Sequence, residues 1–170
     1  MRILLFVSTL FLAGCVRLPE NIEPVSGFEL NRYLGKWHEI ARLDHSFERG
    51  LTKVSAEYSL NDDGSVKVVN RGYKAATGEW KEAVGKARFV RTPDTGYLKV
   101  SFFGPFYGSY VIVELDKQGY QYALVCGPDR SYLWILSRSP ELEEGIQKKL
   151  VERASALGFD TGKLLYIRED

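Results

Sequence analysis

Histidine and cysteine are scarce: the chain of 170 residues holds two of each. His38 and His45 have no cysteine near them, so no Cys/His group has metal-ligand spacing and no metal is expected. Cys15 sits near the N-terminus and Cys126 far along the chain, which leaves no disulfide framework inside the domain. Charge of one sign is also missing. Lys and Arg total 23 against 22 for Asp and Glu, a balance without the basic field that nucleic acid requires. The glycines stand singly in turns rather than before a helix, so no phosphate cradle is present and no cofactor is expected. Ser137, His45 and Asp44 have no spacing that supports a nucleophilic triad. No repeat, low-complexity tract or linker divides the chain, and its length suits one domain with a sizeable core.

What is present begins with an address. Met1-Arg2 supplies a positive charge, and Ile3 to Ala13 form an apolar run broken only by Ser8 and Thr9. That run is too short to span a membrane and has the form of a signal-peptide core. It ends in Leu12-Ala13-Gly14-Cys15, which resembles a bacterial lipobox. The resemblance implies a signal peptide over 1–14 and a lipidated Cys15 carrying palmitate-type acyl chains. At about 0.8 kcal/mol per buried CH₂, several such chains make a stable anchor. Residues 15–26, with Pro19 and Pro24, read as a lipidated tether between bilayer and domain. Val16 follows the cysteine, where an inner-membrane retention signal has aspartate. The expected location is therefore the bacterial outer membrane, lipid-anchored and facing the periplasm.

Turn chemistry cuts the remaining chain at regular intervals. Asn61-Asp62-Asp63-Gly64, Thr77-Gly78, Pro93-Asp94-Thr95-Gly96, Gly104-Pro105, Asp116-Lys117-Gln118-Gly119 and Gly127-Pro128-Asp129 are turn signals. Between them lie strands predicted at 36–43, 51–60, 64–74, 80–91, 97–103, 106–115, 120–126 and 131–138. Val54, Ala56 and Tyr58 alternate with Ser55, Glu57 and Ser59, as half-buried strands do. Short connections favour an antiparallel meander. The fold class is thus all-β: an eight-stranded up-and-down barrel over 27–170. Ser139 and Pro140 read as the start of a helix whose stripe of Leu142, Ile146, Leu150, Ala154 and Leu157 packs outside that barrel. Residues 163–168 predict a short final strand.

Two short motifs frame the meander. Gly35-Lys36-Trp37 opens the first strand, where Trp37, Glu39 and Ala41 share one face. Leu133-Trp134-Ile135-Leu136-Ser137-Arg138 ends the eighth. The pair resembles the lipocalin signature, in which the first-strand tryptophan closes the barrel floor and the late arginine packs across its ring. Gly35, Trp37 and Arg138 would be that floor. Three further stretches, 85–87, 100–108 and 123–130, resemble the bacterial outer-membrane lipoprotein branch of the family. The second family motif is only loosely echoed, by Asp116 and Tyr120.

The chemistry left over is a cavity. Ala56, Tyr58, Asn70, Phe89, Val100, Phe102, Tyr110 and Trp134 are the inward candidates for ligand contact. Small Ala56, Gly72, Gly85 and Ala87 are expected to leave room there. The Asn70 amide, if buried, needs either a polar ligand atom or a neighbour. The resemblance implies a non-enzymatic protein that carries or stores a small amphiphilic lipid, a fatty acid or lysophospholipid. Two other classes stay open at this point: an enzyme using Cys126 as a cavity thiol, and a structural envelope protein with a filled barrel. Monomer and homodimer are equally compatible with the sequence.

Overall fold

The computed structural model describes residues 16–167, in which the alternating stretches pair as one antiparallel sheet. Its strands are β1 (Gly35–Leu43), β2 (Leu51–Leu60), β3 (Val66–Lys74), β4 (Glu79–Phe89) and β5 (Tyr97–Phe103). They continue with β6 (Phe106–Leu115), β7 (Tyr122–Cys126), β8 (Leu133–Ser137) and β9 (Leu164–Tyr166). β1 pairs with β2 on one side and β8 on the other, which closes the first eight into a barrel. β9 adds to β1 outside the circle. A short helix α1 (Leu30–Tyr33) precedes β1, and α2 (Glu144–Ala156) follows β8. The all-β, eight-stranded barrel with an outer helix and a final strand is the architecture that the alternation and turns predict.

Because successive strands reverse, the connections gather at two ends. The turns 61–65, 90–96 and 116–121, with α1, make the floor. The loops 44–50, 75–78, 104–105 and 127–132 make the mouth.

One irregularity changes which residues face inward. The register between β1 and β8 slips between Glu39 and Ala41. Ile40 and Ala41 therefore both turn outward, and Arg42 turns inward beside Trp134. Strict alternation puts Ala41 on the Trp37 face and Arg42 on the other, and the bulge reverses both. Beyond it β1 leaves β2 and pairs with β9 over Ala41–Leu43. Arg42 bridges the resulting gap: its Nη2 donates to the carbonyls of Glu48 at 2.9 Å and Leu51 at 3.2 Å.

Apolar side chains collect in two layers. The inner one, with Trp37, Tyr58, Val68, Ala87, Leu98 and Leu136, fills the floor half of the barrel. The outer one lies between the wall and α2, where Leu150 and Ala154 are fully buried against residues such as Ile135 and Leu124. The helix begins at Glu144, not at the Ser139-Pro140 signal. Residues 139–143 carry the chain from the floor onto the outer wall, and helix starts once Leu142 has reached the outer layer.

Residues 16–26 are placed differently from a free spacer. They run along the barrel wall from mouth to floor. The Arg17 backbone N–H donates to Ser109 Oγ at 2.9 Å, and that hydroxyl donates back to the Arg17 carbonyl at 2.6 Å. The Ile22 side chain is 2% exposed. Val25 takes a place beside the sheet, donating to the Ile112 carbonyl and accepting from Gly96 N–H. The signal peptide and Cys15 lie outside the described residues.

Candidate functional site: a barrel cavity

The floor is built on Gly35 and Trp37. Gly35 has φ +94°, which an L side chain rarely adopts, and a Cβ there would approach Arg138 Nη1 at 3.4 Å. The Trp37 ring is fully buried, and its N–H donates to the Tyr33 carbonyl at 2.8 Å. Arg138 lies 4.0 Å above the ring centroid. Its guanidinium donates to the carbonyls of Arg32 at 2.7 Å, Lys36 at 2.9 Å and Tyr120 at 3.2 Å. Three segments converge on that one side chain, which is why the chain needs arginine where the eighth strand ends.

Above the floor is a narrow apolar cavity of about 110 Å³ that opens to the mouth. Ala56, Tyr58, Asn70, Val100, Phe102, Tyr110 and Trp134 line it. Phe89, the eighth inward candidate, does not; it packs toward the floor against Phe28, with ring centroids 6.1 Å apart. The expected room above the glycines is taken. A Cβ on Gly85 would meet the Phe102 ring at 2.8 Å, and one on Gly72 would meet Leu51 at 2.9 Å. Both glycines let a neighbouring side chain lie flat on the wall, so open space remains over Ala56 and Ala87 instead.

Besides Ser55, Asn70 and Ser109, two polar clusters break the apolar lining. Near the floor, Tyr110 Oη lies 2.7 Å from Tyr33 Oη and accepts from Tyr58 Oη at 2.9 Å. Burial pushes all three phenols above their ordinary pKa, so they are neutral hydroxyls. Three hydroxyl protons serve two contacts, which leaves one donor to spare for a ligand oxygen.

Under the mouth loop 44–50 lies a charged group that alternation did not reveal. Arg42 Nη1 donates to Glu39 Oε1 at 2.5 Å, both side chains being buried. Glu48 folds in from the loop, accepts from Trp134 Nε1 at 3.0 Å and lies 2.9 Å from His45 Nε2. Glu39 and Glu48 both line the cavity. Burial first, then the Glu48 carboxylate, pushes Glu39 up to about 8, against the pull of Arg42. The shared face of Trp37 and Glu39 was legible in the sequence. The Arg42 partner was hidden by the bulge, and Glu48 by lying in a loop.

Cys126 is no cavity thiol. It belongs to the outer layer beneath α2, fully buried, and burial pushes its thiol up to about 12. Ser137 stands at the floor, whereas Asp44 and His45 stand at the mouth, so no triad assembles from them. Among the described residues, no group of three His, Cys, Asp or Glu side chains could hold a metal.

Comparison with known proteins agrees with this geometry. The model of the lipocalin-like domain matches residues 28–169. The outer membrane lipoprotein Blc of Vibrio cholerae is 58% identical over 167 residues, covering 98% of each chain. That of Escherichia coli K12 is 50% identical over 89% of this chain and 85% of its own. Temperature-induced lipocalin-1 of Arabidopsis thaliana is 35% identical over 85% and 81%. Among solved structures, insecticyanin of the tobacco hornworm Manduca sexta superposes with a TM-score of 0.72 at 24% identity. The match covers 91% of this chain and 87% of that one, and supports the fold.

Proposed function

The chain belongs to the lipocalin family, and from that premise we propose that it binds one single-chain amphiphile, a fatty acid or lysophospholipid. It carries or stores this lipid in the cell envelope. The observation that carries the reading is the narrow apolar cavity with polar groups at two heights: the spare tyrosine hydroxyl low down, and Glu39 and Glu48 near the mouth. Burying an alkyl chain there removes apolar surface from water at about 25 cal/mol per Å². The head group stays toward the mouth, where water and charge are available. The relatives named as outer membrane lipoproteins support a lipid-anchored location in that membrane for this chain, through Cys15. Cys126 offers no route to catalysis, since it lies on the other side of the barrel wall from the ligand space.

The test is lipid extraction from the protein purified without added lipid, with the mass of its N-terminal peptide taken from the same preparation. The expected result is a single-chain lipid in the extract and an acylated Cys15. An empty protein that also takes up no fatty acid on titration would point to a filled structural barrel instead.

A further inference from the structure

Three phenols and one amide meet inside the channel, and their hydrogen bonds do not balance. Tyr33 and Tyr58 are 2% and 7% exposed, and their hydroxyls reach Tyr110 Oη at 2.7 Å and 2.9 Å. Tyr58 is the donor in its contact, so the other contact uses the proton of either Tyr33 or Tyr110. Whichever of these two donates, the other keeps an O–H with nothing to receive it, and both rings line the channel. The Asn70 amide lines it as well and has no hydrogen-bond partner among the described residues. In the pairing of β2 with β3, Asn70 stands opposite Ala56 and Val68 opposite Tyr58. The amide is thus two residues nearer the mouth than the Tyr58 backbone, about 7 Å along the strand.

A saturated alkyl chain fits this place badly. It seals the spare O–H and the amide from water and returns a hydrogen bond to neither. A carboxylate fits no better, because no Lys, Arg or His lines the channel and its charged side chains are the acids Glu39 and Glu48. A neutral hydroxyl fits both groups: its oxygen accepts the tyrosine proton, and its own proton goes to the Asn70 carbonyl oxygen. The depth of the pair places that hydroxyl on the lipid. The level of Ala56 and Asn70 lies five residues below Leu51, where Arg42 ties down the mouth loop. At about 3.3 Å per residue and a strand tilt of about 40°, that depth is about 12 Å. With the head group at the mouth, the matching oxygen falls near the middle of a long alkyl chain.

We propose that the cavity selects an oxygenated lipid, a single alkyl chain bearing a hydroxyl near its middle, received by the Tyr33–Tyr110 pair and by Asn70. The proposal rests on the cavity as a site for one alkyl chain, and adds which chain it prefers. Tyr58 takes part by occupying Tyr110 Oη as a donor, which forces the third proton of the trio outward to the ligand.

The test titrates the full chain, stripped of lipid, and reads tryptophan fluorescence. The probes are stearic acid, the same acid hydroxylated near mid-chain, its mid-chain oxo counterpart, and the acid hydroxylated beside its carboxyl. The mid-chain hydroxy acid should bind about three- to tenfold more tightly than stearic acid, the gain from one or two net hydrogen bonds. A hydroxyl beside the carboxyl should bring no gain. In Asn70→Leu the hydroxy acid loses the acceptor of its proton and should drop behind the oxo acid. The oxo acid only accepts, so it should keep its lead over stearic acid through the tyrosine. Stearic acid itself should bind Asn70→Leu at least as tightly as the parent, which also shows that the variant is folded. Stearic acid bound as tightly as the mid-chain hydroxy acid by the parent protein would overturn the proposal and leave water as the partner of the spare proton. So would an unchanged order of the acids in Asn70→Leu. Failure of all four acids to bind would refute the lipid reading itself, a result distinct from binding without preference.

Discussion

At the scale of single residues, the two ends of the cavity are held by opposite electrostatic solutions. At the floor, Arg138 lies in contact with the Trp37 ring and donates to three carbonyls. Trp37→Ala empties a fully buried site and should cost about 3–5 kcal/mol of stability. Urea titration would show it, and an unchanged midpoint would contradict the floor assignment. Near the mouth, Glu39 pairs with the buried Arg42 guanidinium while the Glu48 carboxylate lies against His45 and Trp134, and Glu39 is the side chain that gives way. Its pKa rises from 4.5 to about 8 on folding, so between those values the folded chain holds a proton that the unfolded chain has released. Stability then falls as pH rises through that window, by at most about 1.4 kcal/mol per pH unit for one proton. In Glu39→Gln that slope should be lost. Urea midpoints at about pH 5 and about pH 8 measure it, and an identical slope in the variant would show that another group carries the dependence.

At the scale of elements, the strap and the bulge separate what the chain states locally from what only packing decides. Residues 16–26 have the prolines and scattered charges of a spacer, yet Ile22 is buried in the outer layer. Ile22→Ala should cost about 2–5 kcal/mol, the range for a buried aliphatic truncation. Thermal unfolding of the same chain with and without the substitution decides it; a free tether would give no shift. The strands were legible because their alternation and turn residues are local, and apart from β1 with β8 and β9 each pairs with its neighbour in sequence. The outer helix stripe was legible for the same reason. Its start was not, because the Ser139-Pro140 signal lies on residues that must first travel from floor to wall. The bulge at Ile40 and Ala41 was invisible because both residues suit a strand, and only the need to cover β1 with α2 and β9 turns them outward together. With it went Arg42, so half of the charged group under the mouth loop could not be read from alternation.

At the scale of the whole molecule, the closed barrel sets how much lipid fits. Eight strands enclose little space, and here Phe102 lies across Gly85 and takes part of it. What remains is a narrow channel lined by Ala56 and Ala87, with Phe47 and Glu48 at its entrance. One alkyl chain can follow that channel, whereas a second chain would have to displace the phenylalanine or the mouth loop. Single-chain lipids should therefore bind more tightly than two-chain phospholipids. Because Ala56 and Ala87 both line the cavity, Ala56→Phe or Ala87→Phe narrows the channel. Each should exclude at least two methylenes, worth about 1.6 kcal/mol, and so weaken fatty-acid binding by about tenfold or more. For Ala56→Phe, at the less buried of the two positions, the thermal midpoint of the empty protein should hardly move. Titration of tryptophan fluorescence reports the binding, since Trp134 lines the same channel. Undiminished affinity in both variants would place the alkyl chain elsewhere, and tighter binding of two-chain lipids would mean that the Phe102 ring swings aside to admit them.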